Sequence, residues 1–288
     1  MYKIYNNSIN YSGNNTTLLR LKKILNLKFT NKIENNIIGI HAYKFGKLVY
    51  QTFHNYIIIL GGTDVNVDIN DINKLKIMKL ALKNAKYIVA FNRYMKNIII
   101  NKMDIDNKKI KIIPQSIDEL YIHNFDISLF TNKKLYIMIG NLRPVKDPTF
   151  LFNYFKNQTN KILLVIGNII EGEYKYPENV YHINGMEQGQ IYSIMSQADG
   201  IINTSISEGM SISLLEAMKL KCCVYAREND GNKSIINNLN TGFLFKDETE
   251  FHKVVELDNK QVIQNAYDYV TFQHNIYYES FNYNRILY

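Results

Sequence analysis

The sequence contains two successive blocks in which short, continuously apolar stretches alternate with stretches of helical periodicity. Strands that are apolar on both faces are typical of a parallel sheet covered by helices on both sides. The predicted strands are residues 37–40, 56–60, 87–91, 109–113, 135–140, 161–167, 200–205 and 222–226. The predicted helices are residues 11–25, 73–85, 92–100, 147–157, 188–198 and 211–220. The repeated strand–helix order predicts an α/β fold of two Rossmann-like domains, with ligands bound at the carboxyl ends of the strands and in the cleft between the domains.

An irregular stretch, residues 114–134, separates the two blocks and is predicted to be a linker. We therefore expect an N-terminal Rossmann-like domain over residues 1–132 and a C-terminal one over residues 133–258. Residues 259–288 form a helical tail rich in Tyr and Phe. We expect the aromatic side chains of this tail to pack on protein, on the N-terminal domain.

Positive charge is concentrated in the first half of the chain. Residues 1–130 hold 19 Lys and Arg against 9 Asp and Glu, whereas residues 131–288 hold 15 against 17. Such asymmetry indicates an anionic partner for the first domain, and a solvated lysine-rich surface is the alternative. Phosphorylated substrates and an anionic membrane face both fit the charge. No basic run is interleaved with aromatic residues as a nucleic-acid groove requires, so we expect no nucleic-acid partner.

The apolar stretches and the cysteines favour a cytoplasmic protein. No stretch approaches the roughly 18 apolar residues of a membrane-spanning helix, and the first residues lack the apolar core of a signal peptide. The two cysteines, Cys222 and Cys223, are adjacent, and neighbouring cysteines rarely pair. We predict a cytoplasmic location and leave peripheral membrane contact open.

Two glutamates, Glu208 and Glu216, lie in the stretch ISEGMSISLLEAMKL. Glu208 belongs to a loop after a predicted strand, and Glu216 to the helix that follows. The backbone N–H groups near Gly209, Met210 and Ser211 lie at the start of that helix, which favours anionic or hydroxyl-rich ligands. A carboxylate is a good acceptor for vicinal hydroxyls, such as those of a ribose. From the spacing alone, one loop acid and one acid on the helix surface remain an alternative explanation.

The strand–loop–helix context of these glutamates carries a family resemblance. SEGMSISLLEAM resembles the Glu-x7-Glu signature of the family 4 retaining glycosyltransferases, the group 1 glycosyl transferases of the GT-B fold. Further stretches resemble the same family, namely residues 112–118 (IIPQSID), 140–148 (GNLRPVKDP) and 226–245. Three stretches of the first domain resemble the subgroup of glycosyltransferase 1 domain-containing proteins, namely residues 13–21, 39–46 and 59–66.

The resemblance implies a donor site in the second domain. Arg143 and Lys146 would neutralise the diphosphate leaving group, since phosphate oxygens bind Arg and Lys and departing charge must be stabilised where it develops. Glu216 would hold the ribose hydroxyls, and Glu208 would hold hydroxyls of the transferred sugar. The same motifs supply the other predicted donor-binding residues, which are Gly140, Gly209, Met210, Ser211 and Leu215.

The resemblance also implies a cleft or acceptor side in the first domain. His41 follows a predicted strand and would face the sugar as a catalytic residue. Gly13 and Asn14 precede a helix, at a point where acceptor or phosphate would come close. Gly62 lies in a second glycine turn, GGTD, whose Asp64 either contacts a ligand or serves the turn itself.

The expected reaction needs no cofactor. No cluster of His, Cys, Asp and Glu has the spacing of a metal site, and no GxGxxG fingerprint supports NAD binding. The resemblance implies metal-independent transfer of a sugar from a nucleotide-diphosphate sugar, the co-substrate, to a hydroxyl acceptor with retention of anomeric configuration. Two alternatives remain open: a sugar-nucleotide epimerase on a similar frame, and a non-catalytic relative that binds nucleotide sugars.

Overall fold

The computed structural model of the protein contains two sheets of six strands each. It describes residues 1–6, 13–52, 54–130 and 132–288. Within these residues every pairing between the strands is parallel. The prediction of an α/β fold with two parallel, Rossmann-like sheets is therefore confirmed.

The strands and helices alternate along most of the chain. The strands are β1 (Lys3–Tyr5), β2 (Phe29–Thr30), β3 (Ile37–Ile40), β4 (Tyr56–Ile59), β5 (Tyr87–Ala90), β6 (Ile110–Ile112), β7 (Lys134–Ile139), β8 (Lys161–Ile166), β9 (Val180–Ile183), β10 (Gly200–Asn203), β11 (Val224–Arg227) and β12 (Phe243–Phe245). The helices are α1 (Gly13–Leu25), α2 (Gly46–Val49), α3 (Gly62–Asn66), α4 (Ile72–Asn84), α5 (Arg93–Met103), α6 (Phe152–Lys156), α7 (Gln188–Gln197), α8 (Ile212–Lys219), α9 (Asp230–Lys233), α10 (Glu248–Val254), α11 (Lys260–Gln273) and α12 (Ile276–Leu287). None of the helices described has the length and apolar character needed to cross a membrane.

The chain divides into two compact units, each built around one sheet. The first unit comprises Met1–Asp118 and Gln273–Tyr288, and the second comprises Glu119–Phe272. The sheet of the first unit has the strand order β2-β1-β3-β4-β5-β6, and that of the second has the order β12-β11-β10-β7-β8-β9. In each sheet the strand order reverses once near the middle, and in such sheets ligands bind at the carboxyl ends of the strands beside the reversal.

The division between the units falls at residue 118, whereas the sequence-based boundary lies at residue 132. The reason is that the irregular segment after residue 118 packs on the second unit. The backbone N–H of His123 donates to the carbonyl oxygen of Gly189 at 3.0 Å. The N–H of Phe125 donates to the hydroxyl of Ser193 at 3.2 Å.

The sheet strands are buried, as their apolar residues predict. Every residue of β4 is fully buried, and Tyr56 uses its hydroxyl to donate to the carbonyl oxygen of Ala81 on α4 at 2.8 Å. Helix α4 begins after Asp71, whose carboxylate accepts from the backbone N–H groups of Asn73 and Lys74. The predicted helix over residues 147–157 shortens to α6, because Asp147 adopts a left-handed conformation at φ 43° and a proline follows it.

The C-terminal tail is shared between the two units. Helix α11 belongs to the second unit, and α12 returns to the first. A buried polar network attaches α12 to the first unit. Nε and Nη2 of Arg20 donate to the two carboxylate oxygens of Glu279, at 3.0 and 2.9 Å. Ser116 donates to the same carboxylate through its N–H and its hydroxyl, while Gln115 accepts from Arg20 and Thr17. Glu279 is 1% exposed, so its charge depends on these partners.

Candidate functional site

Two loops meet at the carboxyl edge of the second sheet, because β10 pairs with β7. One loop follows β7 and contains a 3-10 turn at Pro144–Lys146. The other follows β10. The hydroxyl of Thr204 donates to the carbonyl oxygen of Lys146 at 2.9 Å, and the N–H of Ile206 donates to that of Val145 at 2.9 Å. These bonds bring together two segments that the sequence analysis identified separately.

Gly140 directly follows β7 and has a backbone conformation that glycine favours, at φ +136°. A Cβ at this position would lie 3.9 Å from Cε of Lys146, so the stem of Lys146 runs over Gly140. Beside them lies a small open depression whose lining includes Asn203 and Ser205 from the end of β10. The depression therefore lies at the carboxyl edge, with the ammonium-bearing side chain of Lys146 in its wall.

Lys146 and Glu208 form an ion pair in this site. Nζ of Lys146 lies 2.5 Å from Oε1 of Glu208, and the Glu208 side chain is 13% exposed. The same oxygen accepts from the hydroxyl of Ser205 at 2.7 Å and from the amide of Asn203 at 3.2 Å. Burial favours the protonated carboxyl, but Lys146, Ser205 and Asn203 outweigh burial and hold the pKa of Glu208 below its usual value. Glu208 is therefore ionised at neutral pH.

Residues of the segment 229–232 pack against the Glu208 loop and stabilise it. The amide of Asn229 donates to the carbonyl oxygen of Ser205 at 2.9 Å. Gly231 packs so closely on this loop that an added Cβ would lie 2.2 Å from the carbonyl oxygen of Glu208. Asn232, fully buried, donates to the carbonyl oxygen of Arg227 at 2.9 Å. Sequence reasoning assigned no role to these residues, although their stretch was part of the family resemblance.

The loop leads directly into α8. Ser211 is the N-cap residue of α8, and its hydroxyl accepts from the amide of Asn203 at 3.2 Å. Gly209 is buried and Met210 half-buried beside it. The first turn of α8 contains no acidic residue. The start of α8 therefore offers a positive helix end next to the Lys146–Glu208 pair.

Glu216 lies about one and a half turns beyond Ser211 on α8 and contacts α7. Its Oε1 accepts from the hydroxyl of Tyr192 at 2.7 Å and from the amide of Gln188 at 3.0 Å. The two glutamates are eight positions apart in the sequence, and their bonds come from different elements: those of Glu216 from α7, and those of Glu208 from Lys146, Ser205 and Asn203. Leu215, also predicted to bind the donor, is fully buried because α8 turns Leu214 and Leu215 toward the sheet.

The remaining cations of the site differ in their surroundings. Arg143 starts the 3-10 turn and is exposed. Arg227, at the end of β11, donates to the carboxylate of Asp147 at 2.8 Å. Its guanidinium also lies 4.1 Å from the ring centre of Phe150. Arg227 therefore anchors the residue that follows Lys146, a contact that no motif indicated.

In the first unit, His41 follows β3 with a backbone φ of +86°, which is rare for a residue other than glycine. Its Nδ1 accepts from the N–H groups of Tyr43 and Lys44 at 3.3 and 3.1 Å. That acceptor role leaves the proton on Nε2, which lies 3.5 Å from a carboxylate oxygen of Asp68. Burial, followed by Lys44, lowers the pKa of His41 to about 4, so the imidazole is neutral at pH 7. His41 is 1% exposed, and its two nitrogens face groups of its own unit.

Asp64 connects the loops that follow β3 and β4. One carboxylate oxygen accepts from the N–H groups of Ala42 and Gly61 at 2.6 and 3.0 Å, and the other accepts from Val65 at 3.0 Å. Asp64 is fully buried, and burial raises its pKa to about 7. Of its two predicted roles, the structure therefore shows the contacts of a turn residue, because no part of the carboxylate is exposed to a ligand.

The other residues predicted on this side gather at the same edge. Gly13 is the first residue of α1, and the preceding residues 11–12 lie outside the described residues. A Cβ at Gly61 would lie 3.5 Å from both the Asn14 side chain and the His41 ring. Gly62 begins α3. The start of α1 and the ends of β3 and β4 thus meet at one point of the first unit.

No group of three or more His, Cys, Asp and Glu side chains is placed to hold a metal ion in the part of the chain that the structure describes. The structure therefore offers two polar clusters, one at the carboxyl edge of each sheet. The cluster of the second unit combines a cation, an ionised carboxylate and a helix start, which is the chemistry that a phosphorylated, hydroxyl-rich ligand requires.

Comparisons with known proteins agree with this chemistry. Residues 122–260 match the family model described as glycosyl transferases group 1. Solved structures with the same two-sheet arrangement are GT-B glycosyltransferases. The protein is thus a glycosyltransferase with the GT-B fold.

Three relatives are similar over most of the chain. Glycosyltransferase 1 domain-containing protein 1 of Xenopus tropicalis is 29% identical over 316 aligned positions, which cover 92% of this chain and 91% of that protein. HepE of Anabaena, solved in complex with UDP-glucose, has a TM-score of 0.83 at 13% identity and covers 99% of this chain, with 98% of its own chain aligned. TarM has a TM-score of 0.70 at 16% identity over 94% of this chain and 57% of its own.

Proposed function

We propose that the protein transfers a sugar from a nucleotide-diphosphate sugar to a hydroxyl acceptor, with retention of configuration and without a metal ion. The observation that carries this proposal is the Lys146–Glu208 pair at the carboxyl edge of the second sheet, 2.5 Å apart and partly exposed. A nucleotide-diphosphate sugar presents two phosphates next to several hydroxyls. A cation and an ionised carboxylate held side by side match that order of groups.

Each residue of the pair takes one part of the donor. Lys146 stabilises the diphosphate as its negative charge develops, and the N–H groups at the start of α8 add to this stabilisation. Arg143, exposed at the head of the same turn, reaches the diphosphate from solvent. Glu208 accepts from hydroxyls of the transferred sugar, and Glu216 accepts from the ribose. Because bound hydroxyls displace Lys146 from Glu208, we expect the pair to separate when the donor binds.

Retention is the stereochemical outcome that the family resemblance implies, and the bonds of both glutamates support a route without a covalent glycosyl–enzyme intermediate. Oε1 of Glu208 is bonded to Lys146, Ser205 and Asn203, and Glu216 is bonded to α7. We propose that the acceptor oxygen attacks the anomeric carbon from the face that the phosphate leaves. The new bond joins carbon and acceptor oxygen, the bond between carbon and phosphate oxygen breaks, and the acceptor proton moves to the leaving phosphate.

HepE was solved with UDP-glucose and, separately, with UDP and glucose. These ligands make UDP-sugars the first donors to test. The two cysteines are buried thiols in the structure, which supports the proposal of a cytoplasmic location. His41 remains a predicted catalytic residue, and its substitution is considered in the Discussion.

The test is the thermal stability of the wild type and of Lys146→Ala with UDP-, GDP-, ADP- and dTDP-sugars. A ligand at about 100 times its dissociation constant adds roughly 2.7 kcal/mol, which raises the midpoint by several degrees. We expect one nucleotide to stabilise the wild type and not the variant. Transfer by Lys146→Ala should fall by about 10²- to 10³-fold, as for the loss of other groups that stabilise developing charge.

Lys246→Ala is the matched control, because this lysine of the second unit is 66% exposed and 3.9 Å from its nearest carboxylate, Glu228. Its stability shift and activity should equal those of the wild type. Unchanged kinetics in Lys146→Ala would refute the diphosphate assignment. Conversion of the donor sugar without any acceptor would identify an epimerase instead.

A further inference from the structure

Helix α12 buries one side and exposes large side chains on the other. Tyr283 and Ile286 are buried in the first unit, whereas Tyr277, Phe281 and Tyr288 are 87%, 61% and 83% exposed. Spacings of four and seven residues place these three on one side of the helix. The sequence analysis expected the aromatic residues of the tail to pack on protein, but this side of α12 faces solvent.

Helix α1 extends the same surface. It packs beside α12 through the Arg20–Glu279 ion pair, and the Ser280 hydroxyl donates to the carbonyl oxygen of Ile24 at 3.2 Å. Its inner side is buried in the unit through Leu18 and Leu21, so its outer side faces solvent. The exposed side chains of α1 include Leu19, Lys22 and Lys23.

Neither helix exposes an acidic side chain. Helix α1 contains no acidic residue, and the one acidic residue of α12, Glu279, is 1% exposed and paired with Arg20. Three cations are exposed on the two helices: Arg285 lies 5.9 Å from the ring centre of Phe281, and Lys22 and Lys23 are exposed on α1. Lys23 pairs with Asp118, which lies outside both helices. The exposed side chains of the two helices thus combine apolar groups with cations, and Asp118 neutralises one of these cations, Lys23.

The first unit as a whole also carries a net positive charge. Met1–Asp118 and Gln273–Tyr288 together hold 20 Lys and Arg against 8 Asp and Glu, a net charge of +12. The remaining residues hold 14 against 18, a net charge of −4. The positive charge therefore belongs to the unit that carries the aromatic stripe. The net charge of +12 disfavours a second copy of this unit as the partner, because like charges repel.

We propose that the exposed sides of α1 and α12 form a docking surface for an anionic lipid bilayer. Tyrosine and phenylalanine rings partition to the headgroup region, where the ring is buried and the tyrosine hydroxyl stays hydrated. Lysine and arginine beside them are attracted to anionic headgroups. A helix with apolar side chains on one side and no exposed acid lies flat in such an interface. This inference goes beyond the transfer reaction and stands without it.

Vesicle flotation tests the surface directly. The full chain is mixed with phosphatidylcholine vesicles, with or without phosphatidylglycerol, at low and at high salt. We expect the wild type to float with the anionic vesicles, to stay behind with the neutral ones, and to be released by salt. Tyr277→Ser/Phe281→Ser/Tyr288→Ser should weaken binding by about tenfold or more, since it removes the side chains that enter the interface.

A second variant isolates the charge. Lys22→Glu/Arg285→Glu keeps the aromatic residues, and it should lower binding by about fivefold for each cation lost, which corresponds to about 1 kcal/mol per residue. Ile72→Ser/Tyr121→Ser is the control, because these side chains are 68% and 65% exposed outside the two helices. The control should float like the wild type. Circular dichroism and the midpoint of thermal unfolding verify that each variant is folded.

Three outcomes would overturn the proposal. The first is a wild type that binds neither kind of vesicle, and the second is an aromatic variant that floats as well as the wild type. The third is a wild type that is dimeric by light scattering, without vesicle binding, and becomes monomeric in the aromatic variant. In that case the surface is an interface between copies of this chain.

Discussion

The two sheet edges each hold a carboxylate after a buried strand, but the two carboxylates have opposite surroundings. Asp64 is fully buried, accepts from three backbone N–H groups, and has a pKa raised by burial to about 7. Glu208 is 13% exposed and paired with Lys146, and its pKa lies below the usual value. A buried carboxylate that accepts only from backbone N–H groups stabilises the local turn, whereas one that is paired with a cation and partly exposed can exchange that cation for a ligand.

Among the substitutions that test this difference between Asp64 and Glu208, Glu208→Gln is expected to lower the transfer activity most. The substitution keeps the shape of the side chain but removes the charge that faces Lys146 and the sugar hydroxyls. Transfer should fall by about 10²- to 10³-fold in steady-state assays, as it does when other charge-stabilising groups are removed. Asp64→Asn is the matched control, since it should alter stability while the turnover per folded molecule stays within a few-fold. Equal turnover by the wild type and Glu208→Gln would support a non-catalytic role of the site.

Gly231→Ala tests whether the loop behind Glu208 positions it. The new Cβ would lie 2.2 Å from the carbonyl oxygen of Glu208, so the backbone must move. We expect a loss of about 3 kcal/mol in the free energy of unfolding together with a lower kcat, because overpacking displaces the loop. Urea unfolding and transfer assays on the folded protein measure the two effects.

The control for Gly231→Ala is Gly200→Ala, at the other end of β10. Its Cβ would lie 2.6 Å from the Tyr225 ring, so it should also destabilise the fold. Because Gly200 is remote from the Glu208 loop, the kcat of its folded fraction should be unchanged. Equal loss of kcat in both variants would show that general destabilisation, and not the position of Glu208, controls the rate.

His41→Asn probes the buried cluster and should have the smallest effect of the three. Asparagine tolerates positive φ and can supply an acceptor where Nδ1 lies. The pKa of His41 is about 4 in the folded protein and near 6.5 when unfolded, so its contribution to stability is present above pH 6.5 and is lost as the pH falls toward 4. The wild type should therefore lose about 2 kcal/mol more than the variant between about pH 7 and pH 5.

Urea unfolding of both proteins across this pH range measures that difference. The raised pKa of Asp64 acts in the opposite direction, since its contribution is lost as the pH rises from about 4 through 7. Comparison of His41→Asn with the wild type removes the Asp64 contribution. Identical pH profiles would contradict the neutral state of His41. A large loss of transfer with unchanged stability would instead favour its predicted catalytic role.

The central strands could be predicted from sequence because they are buried on both faces. Stretches such as 56–60 and 161–167 are almost entirely apolar, and they form β4 and β8. The strands that escaped prediction, β1, β2, β9 and β12, have four residues or fewer, and three of them lie at the edge of a sheet. Short helices such as α9 escaped because four residues do not reveal a helical period.

The site could be predicted only in part, because its contacts join distant positions. The sequence analysis identified Lys146 and Glu208 separately, but their direct bond depends on the pairing of β7 with β10. Asn203 and Ser205 donate hydrogen bonds to Glu208, but the stretch NTS in which they lie does not by itself indicate a partner for them. Glycine followed by asparagine at 231–232, a few residues after the predicted strand 222–226, was the available signal for this supporting segment.

The return of α12 to the first unit has a consequence for synthesis on the ribosome. The second unit is one continuous segment, Glu119–Phe272, whereas the first unit is complete only when Gln273–Tyr288 has been made. Arg20 is 9% exposed in the complete fold, and its ion pair can form only after Glu279, 259 positions later in the chain, has been synthesised. The N-terminal unit, although translated first, is therefore expected to reach its final state only after Gln273–Tyr288 has emerged from the ribosome.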